Sequence, residues 1–201
     1  MIKKHKIING LVFLESGAFQ PESVYLCNDR IVSEETYTST EGEEALTDAE
    51  GNYVIPGLTD IHFHGCMGSD CCDGTQEAFR TIAEYELQQG VTSITPATMT
   101  MSEETLTTIC QAAKGFSCDN GADFCGLYME GPFISSGKKG AQNENYIRPA
   151  DTEMLQRLQQ ASGGMIRTVA IAPETEGAMD FIRANGGSVN ISLAHTTADY
   201  D

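Results

Sequence analysis

The run Asp60-Ile61-His62-Phe63-His64-Gly65 places two imidazoles one residue apart, behind an apolar stretch Tyr53-Val54-Ile55 and a Pro56-Gly57 breaker. Side chains on a β-strand alternate faces, so Asp60, His62 and His64 point one way while Ile61 and Phe63 point the other. The two rings then stand about 7 Å apart along one face, a placement from which two ring nitrogens can reach one metal ion. Two unrelated histidines, one hydrogen-bonded in a core and one solvated, would give the same pattern. The decision lies downstream. Glu130 and His195 also close apolar, strand-like runs. Singly, the first reads as a solvated loop acid and the second as a core histidine. Together with the pair, they make three imidazoles and one carboxylate at strand ends, which is the ligand chemistry of a divalent cation.

The elements that must position these residues alternate in type. Strand-like runs fall at residues 53–64, 92–98, 124–130, 166–172 and 188–195. Between the first two, residues 76–89 put Ala78, Phe79, Ile82, Ala83 and Leu87 on one stripe and stop at Gly90. Residues 103–114 open at Ser102 as N-cap, carry acids in the first turn and end before Gly115. Shorter helices are expected at 152–160 and 176–184, the second closed by Asn185-Gly186. Five strands separated by helices predict parallel β/α units with right-handed connections. No G-x-G-x-x-G or Walker pattern marks an open, doubly wound sheet. The polar residues gather instead at the carboxyl ends of strands, where barrel enzymes work. The expected fold is therefore α/β: a partial (β/α)8 TIM-type barrel over residues 51–201, preceded at 1–50 by part of a small N-terminal β-sandwich. That first region shows strand-like pieces at 6–13, 23–27 and 30–32 and the acidic stretch Glu41-Gly42-Glu43-Glu44, with no helical periodicity.

A length of 201 residues suffices for one good core, and 40% apolar with 20% charged residues is a globular composition. The formal charge of −17 argues against nucleic acid and against anionic membrane surfaces, both of which need clustered cations. The N-terminus shows no signal-peptide core and no window approaches a membrane span, so a cytoplasmic protein is expected. Seven cysteines fit neither a zinc-finger nor a secreted disulfide pattern. Cys66, Cys71 and Cys72 follow the histidines, but adjacent cysteines seldom share one metal, and reduced, packing thiols are the better reading. Residues 130–150 form the longest aperiodic segment. Its Lys138, Lys139 and Arg148 are three of only twelve basic residues, a local positive patch suited to a small anionic substrate.

In order along the chain, Pro56-Gly57-Leu58-Thr59-Asp60-Ile61-His62-Phe63-His64-Gly65, Glu130-Gly131-Pro132-Phe133, Lys138-Lys139-Gly140-Ala141-Gln142-Asn143 and Ala194-His195-Thr196 resemble the signature segments of the N-acetylglucosamine-6-phosphate deacetylase family of the amidohydrolase superfamily. The resemblance covers essentially the whole chain. It implies hydrolysis of N-acetylglucosamine 6-phosphate to glucosamine 6-phosphate and acetate with one or two divalent ions, zinc or iron. His62 and His64 match the pair that binds one metal, Glu130 the carboxylate that can bridge two, and His195 a ligand of the second. Ala141 matches the position whose backbone N–H contacts the sugar, and Gln142 stands where many members have a substrate-contacting histidine. An amide there can hydrogen-bond but cannot become cationic. The family's catalytic aspartate matches no residue before Asp201, so the chain is expected to stop after the fifth barrel strand and to lack activity alone, while a full-length form is expected to be a homo-oligomer, a dimer. Other amidohydrolases act on cyclic amides or N-acyl compounds, many through a carboxylated lysine on the fourth strand. Residues 166–172 contain Arg167 and no lysine, which favours the Glu130 class. A non-catalytic assembly module is the reading from a different class.

Overall fold

The computed structural model describes residues 1–199; the last two residues of the region expected to end at Asp201 lie outside them. The chain divides into two compact units, Met1–Pro56 and Gly57–Asp201.

In the first unit β1 (Lys3–Phe13) runs through the middle of one mixed sheet. It pairs antiparallel with β2 (Phe19–Cys27), which pairs in turn with β3 (Arg30–Val32). On its other edge β1 pairs in parallel with β4 (Glu43–Asp48) and then with β5 (Tyr53–Val54). The register slips between Ile7 and Gly10. Asn9 sits there at φ 56°, a left-handed conformation that asparagine tolerates better than most residues. The described residues of this unit form one sheet, as one layer of the expected part of a sandwich would. One expectation needs correction. The region is expected without helix, yet a six-residue helix, α1 (Glu34–Ser39), capped by the Ser33 hydroxyl, precedes the acidic stretch, whose end opens β4. Six residues are too few to show a helical period, although Ser33 and the first-turn Glu34 and Glu35 are start signals.

The second unit begins with β6 (Leu58–Asp60), followed by a short hairpin of β7 (Gly65–Cys66) and β8 (Ser69–Asp70) and by α2 (Gln76–Gln88). Then come β9 (Val91–Ile94), α3 (Glu103–Ala113), β10 (Asp123–Phe124), β11 (Leu127–Glu130), α4 (Thr152–Ser162), β12 (Ile166–Ile171), α5 (Ala178–Asn185) and β13 (Asn190–Leu193). Apart from the hairpin, every strand pair is parallel: β6 with β9, β9 with β10, β11 with β12 and β12 with β13. Each unit thus lays its strand beside the preceding one, as expected. The third strand is split at Cys125-Gly126. Gly126 has φ 143°, and a Cβ there would run into the Met165 carbonyl oxygen and the Arg167 side chain, so the chain crosses its neighbour too closely for any other residue. Its two halves join different sheets, which meet at a single bridge between Ala97 and Tyr128.

The helices are cut where the signals lie. Thr75, Ser102 and Asp151 accept hydrogen bonds from the first-turn amides of α2, α3 and α4. Their apolar stripes pack on the strands around Phe79, Ile82, Leu106, Ile109, Leu127, Met129, Leu158 and Val169, all buried. Barrel closure is not observed: among the described residues β6 and β13 each pair on one edge only, because five strands leave both outer edges free. No helix among them is long and apolar enough to cross a membrane.

Candidate metal centre

The strand carrying the histidine pair ends sooner than its alternation suggests. Pairing of β6 stops at Asp60, whose Oδ1 accepts a hydrogen bond from the His62 amide at 3.0 Å and turns the chain out of the sheet. His62 and His64 therefore lie beyond the strand, with ring centroids 5.5 Å apart and not the 7 Å of a regular face. They converge all the same. Backbone hydrogen bonds from Ala97 N to Phe63 O and from Cys71 N to His64 O hold the turn. The Tyr128 ring meets the His62 ring edge-on at 4.4 Å.

Glu130 closes β11 and is 6% exposed. His62 Nε2 and His64 Nε2 each lie 3.2 Å from its Oε2, and the three residues form a group whose ligand atoms all lie within 4.8 Å of one another. Oε2 is nonetheless buried without a hydrogen-bond partner. The histidine orientation explains why. His64 Nδ1 faces the Ala97 carbonyl oxygen at 3.2 Å, and since a carbonyl only accepts, that nitrogen carries the proton. In the tautomer with that proton, Nε2 turns a lone pair toward Oε2. Lone pairs gathered on a buried carboxylate oxygen lack a positive charge between them. Donor atoms on a tetrahedral ion with bonds of 2.0–2.1 Å stand about 3.3 Å apart, so the separations fit the edge of such a site. These three residues could hold a divalent cation.

His195 arrives differently. It follows β13 at φ 48°, a left-handed conformation uncommon for a residue with a side chain. Its Nδ1 faces Lys138 O at 2.8 Å, its carbonyl accepts from Ser135 N, and its Nε2 lies 2.5 Å from Glu130 Oε1. Burial works to lower its pKa, but the bond to Lys138 O and the hydrogen bond and charge of Glu130 outweigh it and raise the value. The structure thus sets two of the four expected ligands, His62 and His64, against Oε2 of a third, Glu130, and places the fourth, His195, against the other oxygen at less than the length of a ligand–ligand edge.

Gln142 is buried, with its amide Nε2 donating to Glu130 Oε1 at 2.9 Å and its Oε1 accepting from Thr100 N at 2.6 Å. Ala141 beside it is exposed, and a Cβ on Gly140 would stand 3.8 Å from His195 Cε1, so the loop passes over that ring. Of the expected positive patch, Lys138 is exposed and Lys139 partly so, but Arg148 turns away toward Glu103, 3.8 Å distant. It is a correction to the patch. Cys72 and Cys110 are pushed up to about 12, in each case chiefly by burial, and stay neutral thiols. None of the seven cysteines is in the three-residue group. Sequence reasoning missed Tyr128 and the Met99-Thr100 segment. Tyr128 was within reach, since it lies two residues before Glu130 on the same face of β11.

The amidohydrolase family pattern matches residues 53–197. The N-acetylglucosamine-6-phosphate deacetylase of Bacillus subtilis is 32% identical over 152 residues, which are 73% of this chain and 38% of that protein. The N-acetylgalactosamine-6-phosphate deacetylase of Escherichia coli O157:H7 is 32% identical over 78% of this chain and 42% of its own. Among solved structures, N-acetylglucosamine-6-phosphate deacetylase from Pasteurella multocida superposes with a TM-score of 0.83 at 24% identity, covering 98% of this chain and 52% of that one. The chain spans about half the length, or less, of these proteins.

Proposed function

The chain belongs to the amidohydrolase family, and on that premise we propose that it serves the metal-dependent removal of the acetyl group from N-acetylglucosamine 6-phosphate. The observation that carries the reading is Glu130 Oε2, buried without a hydrogen-bond partner and faced by two imidazoles at 3.2 Å. A divalent ion bound there supplies Lewis-acid chemistry, polarising an amide carbonyl and acidifying water. The protein's own part is to hold the donors. Glu130 brings the negative charge, the Ala97 carbonyl fixes the His64 ring through Nδ1, and the Tyr128 edge fixes the His62 ring. Lys138 and Lys139, on the loop that passes over His195, favour an anionic substrate by their charge. Deacetylase relatives acting on both hexosamine 6-phosphates support the substrate class.

The resemblance matches the family's proton-relaying aspartate to no residue here. The substrate assignment is tested on a protein of its relatives' full length that carries this sequence. Acetate release from N-acetylglucosamine 6-phosphate is expected at a higher kcat/KM than from the unphosphorylated sugar, with N-acetylgalactosamine 6-phosphate as the comparison for the ring epimer. Equal values with and without the phosphate would refute the substrate class.

A further inference from the structure

We propose that Gln142 is a positioning residue: its buried amide holds Oε1 of Glu130 and so reserves Oε2 for the cation shared by His62 and His64. The inference rests on the metal-site reading above and assigns Gln142 a task apart from substrate. In a loop whose adjacent residues, Ala141 and Asn143, are exposed, the Gln142 side chain is turned inward and is 3% exposed. Both ends of its amide are used. Thr100 N is a donor and faces Oε1 at 2.6 Å; Glu130 Oε1 is an acceptor and faces Nε2 at 2.9 Å, with the Met99 sulfur 3.6 Å from the same nitrogen. The orientation of the amide is therefore forced by its partners. Thr100 also donates its hydroxyl to the Glu130 carbonyl oxygen at 3.4 Å, so one short segment after β9 braces both the glutamate and the residue that holds it.

A carboxylate turns easily about its last bond and offers either oxygen, or both, to an ion. Hydrogen bonds to one oxygen remove that freedom. His195 Nε2 faces the same oxygen, and the Gln142 amide adds to it a donor whose direction is fixed by Thr100 N at its other end. The consequence is a preset site in which the ligand oxygen is chosen before the ion arrives. Partners of this kind behind a metal ligand typically govern affinity by about 10–100-fold.

The test is a zinc titration of the 201-residue chain against a competing chromophoric chelator, with the metal-free melting temperature of each variant measured beside it. Gln142→Met keeps the volume and removes the donor; it is expected to weaken zinc by about 10–100-fold. Gln142→His returns a ring N–H and an acceptor and is expected to restore most of the affinity. Because titration is done well below the melting temperature, a role in stability alone would move that temperature and leave the affinity of the folded protein unchanged. Zinc binding by Gln142→Met as tight as wild type overturns the inference, as does failure of Gln142→His to recover any of the loss. A wild-type chain that binds no zinc overturns the metal-site reading itself, which is a different result. Should Gln142→Met not fold, Gln142→Asn, whose amide stops one methylene short of Oε1, carries the same comparison.

Discussion

The two oxygens of Glu130 face different chemistry, although histidine approaches both. At Oε2 two rings stand 3.2 Å away and no hydrogen bond forms. At Oε1 His195 and Gln142 close a network at 2.5 and 2.9 Å. The first oxygen has no hydrogen-bond partner and the second has two. Three histidines around a glutamate are thus not equivalently placed. Nδ1 of His64 and of His195 each faces a backbone carbonyl, so it is the distance from ring to carboxylate that separates a metal edge from a hydrogen bond.

The comparison breaks most readily at its shared member. Glu130→Gln keeps the shape and removes the charge, and zinc binding should fall by more than the about 10–100-fold that partners behind a ligand control. Metal content after dialysis that matches wild type would remove Oε2 from the site. Next in size is the contrast between the two sides. His62→Ala and His64→Ala should each lower zinc affinity by well over about tenfold, while His195→Gln should stay within about tenfold of wild type. Equal losses at all three positions would erase the distinction drawn here between the oxygens.

The smallest expected effect lies behind His195. Glu174 accepts hydrogen bonds from Thr196 Oγ1 at 2.5 Å, from Thr197 N at 2.6 Å and from Thr197 Oγ1 at 2.9 Å. Burial works to raise its pKa, yet these bonds win and lower it to about 2. A carboxyl lowered on folding contributes stability above its ordinary value near 4.5, and the contribution is lost as pH falls toward 2. Glu174→Gln should therefore free the 195–197 segment at neutral pH, seen as faster amide exchange at Thr197, and leave zinc affinity unchanged. A carboxyl titration of Glu174 near 4.5 would show that the latch does not hold.

Much of this was legible in residue types. The order of the β/α units followed from apolar periodicity and capping residues such as Ser102, because those signals are local. His62, His64 and Glu130 stood out because charged or titratable groups at the ends of apolar runs need a reason to be there. The departure of the chain from the strand at Asp60 was not legible, since an Asp side chain that captures an amide two residues on competes with the sheet without disturbing the alternation. Nor was the contact between Gln142 and Glu130, which spans an aperiodic loop. The split in the third strand left only Gly126 as its trace, and a glycine alone does not say which neighbour approaches it.

That split gives the centre a mechanical character. His62 and His64 follow β6, which belongs to the sheet of β9 and β10, whereas Glu130 closes β11 and His195 follows β13 of the other. Between the sheets run the Ala97–Tyr128 bridge and its two backbone hydrogen bonds, Thr98 N to Tyr128 O and Tyr128 N to Pro96 O. An ion held by donors from both sides would be a rivet across this seam. Whatever free energy it gains by binding is withdrawn from any motion that parts the sheets. With an ion there, local opening and its escape would become one event, and the rate at which amides along the seam exchange with solvent would report how firmly the ion is held.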